Sequence, residues 1–283
     1  MIGFVILHYN EMKTTIDCLN SIDRCIENYH IVVVDNASPD KSGKELKTIY
    51  QDNEKVDVIL TDKNLGFAKG NNVGYNYLKS HFQCDFICVS NNDILLNDIE
   101  FEKKIERLYK MYMFDVLGPK IILKDCSVNS IRMDKPALAR AQKDLIEMEL
   151  LYFFSFIGAD ILAENALNLL KKLMKRSSTE NLCNNQEHIE DVVLHGCFLI
   201  FSKKFFDIFD GFCPDTFLYH EEELLYLKEK QMSARIIYDT TISVVHLEDV
   251  STNSIHKTAL EKRRFKYHHE INSLKVLLGQ LRK

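Results

Sequence analysis

Apolar positions along the first 124 residues fall into five short runs, at 2–7, 31–34, 56–60, 86–89 and 116–123, separated by longer polar stretches. The runs are rich in Ile and Val, and runs of about four to eight residues bounded by polar segments read as buried strands. The stretches between them, at 11–27, 41–52, 67–80 and 98–111, read as helices, the second introduced by the turn signal Ser38-Pro39-Asp40. Strands alternating with helices predict an α/β fold whose sheet is mostly parallel and built from βαβ units. Ligands of such sheets lie beyond the carboxyl ends of the strands, so the loop after each strand is where chemistry is to be sought.

From 125 to 191 the pattern loosens into helix-leaning segments at 136–152 and 163–176, then a Ser- and Asn-rich stretch, 177–186, that reads as an exposed loop. No chemistry is assigned there. Order returns in 192–256, with an apolar run at 192–201, a Gly211-Phe212 turn, a helix over 222–231 and a strand over 234–245. The last stretch, 257–283, reads as one amphipathic basic helix whose acids are Glu261 and Glu270. Two readings of it stand: it packs on the rest of the chain, or it lies against anionic lipid as a peripheral membrane contact.

With 46% hydrophobic residues in 283, the chain can bury a sizeable core, and with only four Pro it has no obvious linker. One continuous domain is expected. Lys plus Arg number 36 and Asp plus Glu 41, a net charge of -5, so the whole-chain balance gives no reason to expect nucleic acid. The eight cysteines include no Cys-x-x-Cys pair, which fits a reduced, cytoplasmic setting. The N-terminus lacks the basic region of a signal peptide, and no later run reaches membrane-spanning length.

The loops after the strands carry the strongest local signal: His8-Tyr9-Asn10, Asp35-Asn36-Ala37-Ser38, the segment from Asn64 through Gly66, Phe67, Gly70, Asn71 and Asn72, and Asn91-Asn92-Asp93. Singly, each is also a good turn. Together, in this order and spacing, the first three resemble the donor-site segments of family-2 inverting glycosyltransferases with the GT-A fold, particularly the rhamnosyltransferase-like branch. The similarity runs through about 1–124 and 192–275.

The resemblance implies a nucleotide-sugar donor, UDP- or dTDP-linked, and a hydroxyl of a glycan or lipid-linked acceptor, in the assembly of surface polysaccharide. It implies that Asp35 receives the ring N3–H of a pyrimidine, with His8, Tyr9, Asn10 and Asn36 around the base. It further implies that Asn64, Gly66, Phe67, Gly70 and Asn71 bring backbone and helix amides to the diphosphate. The family's Asp-x-Asp metal motif is Asn91-Asn92-Asp93 here, so Asp93 is expected to supply the carboxylate and Asn91 a neutral oxygen to Mn or Mg. Asn92 lies with the donor, and His246 completes the metal site or binds the diphosphate. Gly196 would admit the donor sugar closely, while His195 reads either as a packed residue or as a catalyst.

The segment 217–225 is similar to the family's aromatic and acidic helix start, which makes Glu222 the catalytic base, with Glu221 able to share or take over the role. The bare alternative is an acidic first turn favoured by the helix dipole. Lys228 stands where the family has Arg, and Leu224 where it has an acid. These departures, with Asn91 and Glu222, leave open a degenerate relative that holds nucleotide or a partner without turnover. A nucleotidyltransferase would want a Gly-rich, basic phosphate signature that 7–13 lacks. Homo-oligomerisation stays open, with 125–191 a candidate contact.

Overall fold

The computed structural model describes residues 1–128, 131, 134–174, 187–247 and 258–283. The expected loop at 177–186 and the segment that follows Leu247 lie outside these residues. The first half is β1 (Ile2–His8), α1 (Met12–Cys25), β2 (Tyr29–Asp35), α2 (Ser42–Ile49), β3 (Val56–Leu60), α3 (Gly66–His81), β4 (Phe86–Asn91), β5 (Ile94–Leu96), α4 (Phe101–Tyr112) and β6 (Val116–Leu123). There follow α5 (Leu138–Phe156), α6 (Asp160–Met174), β7 (His188–Glu190), β8 (Phe198–Ser202), α7 (Lys203–Phe206), α8 (Glu221–Gln231), β9 (Ile236–His246) and α9 (Ala259–Leu281).

Among the described residues the sheet order is β3-β2-β1-β4-β8-β6-β9-β5, with β7 also on β9. β1 to β4 pair in parallel, and β6 and β9 are parallel to each other, while β8 runs antiparallel between β4 and β6. Because β8 is inserted between strands of the first half, residues before and after 192 share one sheet and one core. The apolar run at 192–201 therefore divides: its end forms β8, whereas Val192, Val193 and Leu194 are buried without being a strand. Burial alone made that run look continuous.

One face of the sheet is covered by α1 and α4, whose buried positions Cys18, Leu19, Ile22 and Phe101, Ile105, Leu108 recur at helical spacing. The other face carries α3. There Gly70 and Gly74, one turn apart, let the helix axis approach the strands: a Cβ on Gly70 would meet Leu7 Cδ1 at 2.5 Å, and one on Gly74 would meet Val5 Cγ1 at 2.6 Å. Gly70 thus serves the packing of helix on sheet.

The C-terminal helix packs. Tyr267, Ile271, Leu274, Leu277 and Leu278 are buried, and the last three form a small core with Ala141 of α5 and Leu224 of α8. Its start is closed by a capping box between Thr258 and Glu261. No described helix is long and apolar enough to cross a membrane.

Candidate active site

Parallel register brings the loops together, because His8 pairs with Asp35 and Leu7 with Asn91 at the carboxyl ends of β1, β2 and β4. Beneath these loops His8 is fully buried. Its Nδ1 lies 2.7 Å from Thr15 Oγ1 and its Nε2 2.8 Å from Ser42 Oγ. Asn92 Nδ2 donates to Thr15 Oγ1 at 3.0 Å, and Ser42 Oγ donates to Asp40 Oδ1 at 2.5 Å. One chain of donors satisfies every member: Asn92 to Thr15, Thr15 to His8 Nδ1, His8 Nε2 to Ser42, Ser42 to Asp40. It requires a neutral His8, and burial lowers the pKa of this imidazole against the opposing pull of Asp35 and Asp40. His8 and Asn92 act on the site by locking three loops together.

Asp35 and Asn36 are similarly engaged. Asp35 Oδ1 accepts from Ser38 N–H at 3.2 Å and from Ser38 Oγ at 2.5 Å, and the hydroxyl in turn accepts Asn10 N–H at 2.8 Å. The same carboxylate presses on α2, where a Cβ on Gly43 would lie 2.0 Å from Asp35 Cγ. Asn10, Glu11 and Ala37 all adopt the left-handed conformation, at φ 58°, 56° and 59°, so this corner is tightly wound around Tyr9.

Asn36 is a clasp: Nδ2 donates to Asn64 Oδ1 and Gly66 O, and Oδ1 accepts Leu65 N–H at 2.7 Å. Asn64 Oδ1 also accepts Gly66 N–H, and Phe67 N–H donates to Phe217 O at 2.8 Å. The amides of Gly66 and Phe67, the first two of α3, are therefore hydrogen-bonded within the protein. Gly66 has φ +78°, and a Cβ there would strike Phe217 O at 2.2 Å. Asn71, buried, donates from Nδ2 to Phe67 O, and Asn72 grips the backbone of Phe212 through both side-chain atoms. Lys228 Nζ donates to Gly211 O at 3.0 Å over the ring of Phe209. Asn72 and the Phe67 amide hold α3 to the 211–217 segment, and Lys228 ties α8 to it.

The residues that follow that segment, 218–222, wall a cleft of about 320 Å³ lined also by Phe67, Asn91, the stretch 195–197 and Glu270. Tyr219 and His220 are consecutive left-handed residues, at φ 73° and 63°, a strained turn costing on the order of 1–2 kcal/mol per residue. The helix α9 supports it: Ser273 Oγ donates to Leu218 O at 2.7 Å, and Phe217 stacks on His269 with ring centroids 4.5 Å apart. The turn delivers the first carboxylates of α8 to the cleft. Glu222 Oε1 accepts Gly196 N–H at 3.2 Å, and a Cβ on Gly196 would sit at the same distance from that oxygen. Next to it, burial and then the charge of Glu222 push the pKa of Glu221 up to about 8. Burial also raises that of Glu270, which Lys266 and His220 oppose. The site thus pairs a hydrogen-bond-accepting Glu222 with a proton-holding Glu221.

Glu270 is a cleft residue that the reading of the sequence passed over. The signal was present, since Tyr267, Ile271 and Leu274 mark the packed side of α9 and Glu270 falls on that side at helical spacing.

Deeper, Asp93 Oδ1 lies 3.3 Å from His246 Nε2, both residues being nearly buried at the ends of β5 and β9. Among the described residues neither Asp93 Oδ1 nor His246 Nδ1 has a hydrogen-bond partner. The ring of His195 is 6.1 Å from that of His246, and His195 Nδ1 accepts Cys197 N–H. An unpartnered carboxylate oxygen beside an imidazole suits a divalent cation such as Mn or Mg. No group of three or more His, Cys, Asp or Glu gathers among the described residues, so phosphate oxygens and water would have to fill the remaining positions.

The family model described as Glycosyl transferase family 2 matches residues 4–208. Glycosyltransferase GlyG of Streptococcus pneumoniae serotype 4 is 28% identical over 111 residues, 39% of this chain and 34% of that protein. The chain thus matches about a third of that relative's length. S. aureus TarS 1–349 in complex with UDP-GlcNAc superposes with a TM-score of 0.54 at 15% identity, covering 99% of this chain and 71% of that one. GalNAc-T7 with UDP, GalNAc and Mn2+ gives 0.60 at 12% identity, covering 100% and 48%. At these identities the structural likeness is one of fold, and the fold is the GT-A type.

Proposed function

Since the chain belongs to glycosyl transferase family 2, matched over residues 4–208, we propose that it transfers a sugar from a UDP- or dTDP-sugar to a hydroxyl of a glycan or lipid-linked acceptor. The observation that carries this reading is Glu222, set by a strained turn at the start of α8 so that its carboxylate lines the cleft and accepts the Gly196 amide.

In an inverting transfer the acceptor oxygen attacks the anomeric carbon as the bond from that carbon to the diphosphate breaks. Glu222 takes the proton that the hydroxyl loses. Gly196, having no side chain, leaves the donor sugar room beside that carboxylate. Glu221 keeps its proton to about pH 8 and so adds no second negative charge next to the base in the neutral range. A Mn or Mg ion, held by Asp93 and His246, would offset the charge of the leaving diphosphate. Tyr9, Asn10 and Asp35 form the tight corner proposed to meet the pyrimidine, and the UDP present in the TarS and GalNAc-T7 structures supports testing uridine first. Surface glycan assembly is the setting proposed for the reaction, with the donor drawn from the cytoplasm.

Calorimetric titration with UDP, dTDP, GDP and CDP, each with and without Mn, tests the donor site. UDP or dTDP should bind in a Mn-dependent manner, and Asp93→Ala should remove that dependence. Failure of every diphosphate to bind the folded protein would overturn the proposal.

A further inference from the structure

Glu270 lines the cleft but takes no part in the proton transfer or in the binding of the donor. The floor of the cleft is Asn91, at the end of β4, with Gly196 and Cys197 just before β8, and Glu222 touches this side through the Gly196 amide. Glu270 comes from α9 and adjoins the turn: its charge acts on Tyr219, and His220 acts on it. A donor seated at the carboxyl ends of the strands therefore leaves the α9 side of the cleft to the acceptor.

Three carboxyl groups line the cleft, Glu221, Glu222 and Glu270, with the imidazoles of His195 and His220, and among the described residues no Lys or Arg does. Around that lining, Lys266 Nζ lies 3.8 Å from Glu270 Oε1 with its side chain 53% exposed, Asp144 of α5 adds a negative charge, and His220 lies 3.3 Å from the buried Glu223. One exposed cation thus stands against several acids. The acids are not gathered for a metal, since no group of three or more His, Cys, Asp or Glu among the described residues could hold one. Glu221 Oε1 is buried with no hydrogen-bond partner among the described residues, and Glu221 keeps its proton to about pH 8, so the cleft offers a carboxyl donor as well as carboxylate acceptors. Phe67 and Tyr219 add aromatic surface. Aromatic surface with a few separated donors and acceptors suits a small polyhydroxylated ring.

We propose that Glu270 and Glu221 bind the hydroxyls of an uncharged sugar at the acceptor's end, and that Glu270 excludes an acceptor whose ring carries an acid. A carboxylate brought into the cleft would meet Glu222 as well as Glu270 where water is partly displaced, and like charges there repel several times more strongly than in bulk water. A neutral ring meets no such repulsion. That this ring belongs to the acceptor rests on the transfer reading, whereas the selection by charge rests on the lining of the cleft.

Saturation-transfer NMR of the full chain with methyl β-glucoside, methyl β-galactoside and the uronate of each, with and without UDP and Mg, tests the proposal without turnover. At least one neutral glycoside should bind, about tenfold or more tighter than its own uronate. Glu270→Gln should bring that pair within about threefold, and Glu270→Asp, which keeps the charge, should keep the preference. Lys266→Gln, at an exposed position, removes the cation beside Glu270 and should widen it. A merely structural role for Glu270 would move both affinities together and leave their ratio alone. Uronates that bind as tightly as their neutral partners, a ratio that neither Glu270→Gln nor Lys266→Gln changes, or no glycoside binding by folded protein would each refute the proposal. Failure of UDP to bind, with the ratio behaving as expected, would instead remove the donor site and leave this selection standing.

Discussion

Glu222 and Glu221 are chemically alike, and their surroundings assign them different duties. The first accepts a backbone amide beside the space left by Gly196, and the second is raised to about 8 by burial and by its neighbours' charge. Glu222→Gln should lower turnover by about two to four orders of magnitude while nucleotide affinity stays near that of the unaltered protein. Retained turnover would move the base to Glu221 or elsewhere. A second buried acid, Glu229, has its pKa raised to about 8, first by burial and then by Asp115. Its folded-state value exceeds the ordinary one near 4.5, so between those two values the native protein holds a proton that the unfolded chain releases, and stability falls as pH rises through this window. Glu229→Gln removes that loss. Its melting temperature should match the unaltered protein near pH 4.5 and exceed it at pH 8, by a stability difference of about 4 kcal/mol. A gap that does not change with pH would refute the argument.

At the scale of elements, α3 decides how the loops meet. The Asn36–Asn64 clasp before it, the Phe67 amide on Phe217 O and the grip of Asn72 on Phe212 tie the loops after β2 and β3 to the segment that leads into the acidic turn. The motif around Asn64 and Gly66 was readable in the sequence as a loop entering a helix, and that is where α3 begins. What its polar groups bind was not readable, because the partners lie about 140 residues away along the chain. Asn72→Ala removes two side-chain bonds to one buried backbone unit and should cost about 2 kcal/mol in urea unfolding. A loss well under half of that would mean water replaces the grip.

The whole molecule is held as one unit because β8 threads between β4 and β6, and α9 closes α5 and α8 over the cleft wall. Leu274→Ala, at a position 1% exposed, should destabilise the entire chain by about 3 kcal/mol in a single transition, followed by calorimetry. Two separated transitions would show that α9 and the sheet melt independently. The same variant should reduce turnover, since the turn at Tyr219 and His220 leans on α9 through Ser273 and His269.

Strand and helix alternation, the four loop clusters and the acidic start of α8 were set by local patterning, because burial on a sheet face and helix periodicity are properties of neighbouring residues. Element ends followed within a few residues, as in α1 at Met12–Cys25 against an expected 11–27. Which polar residues face the cleft was decided only by tertiary structure. His8, Asn36 and Lys228 are drawn into internal hydrogen bonds, whereas Glu270, on a helix that reads as plainly basic, turns into the site. A buried polar group must find a partner wherever the fold places one, and that choice depends on contacts distant in sequence.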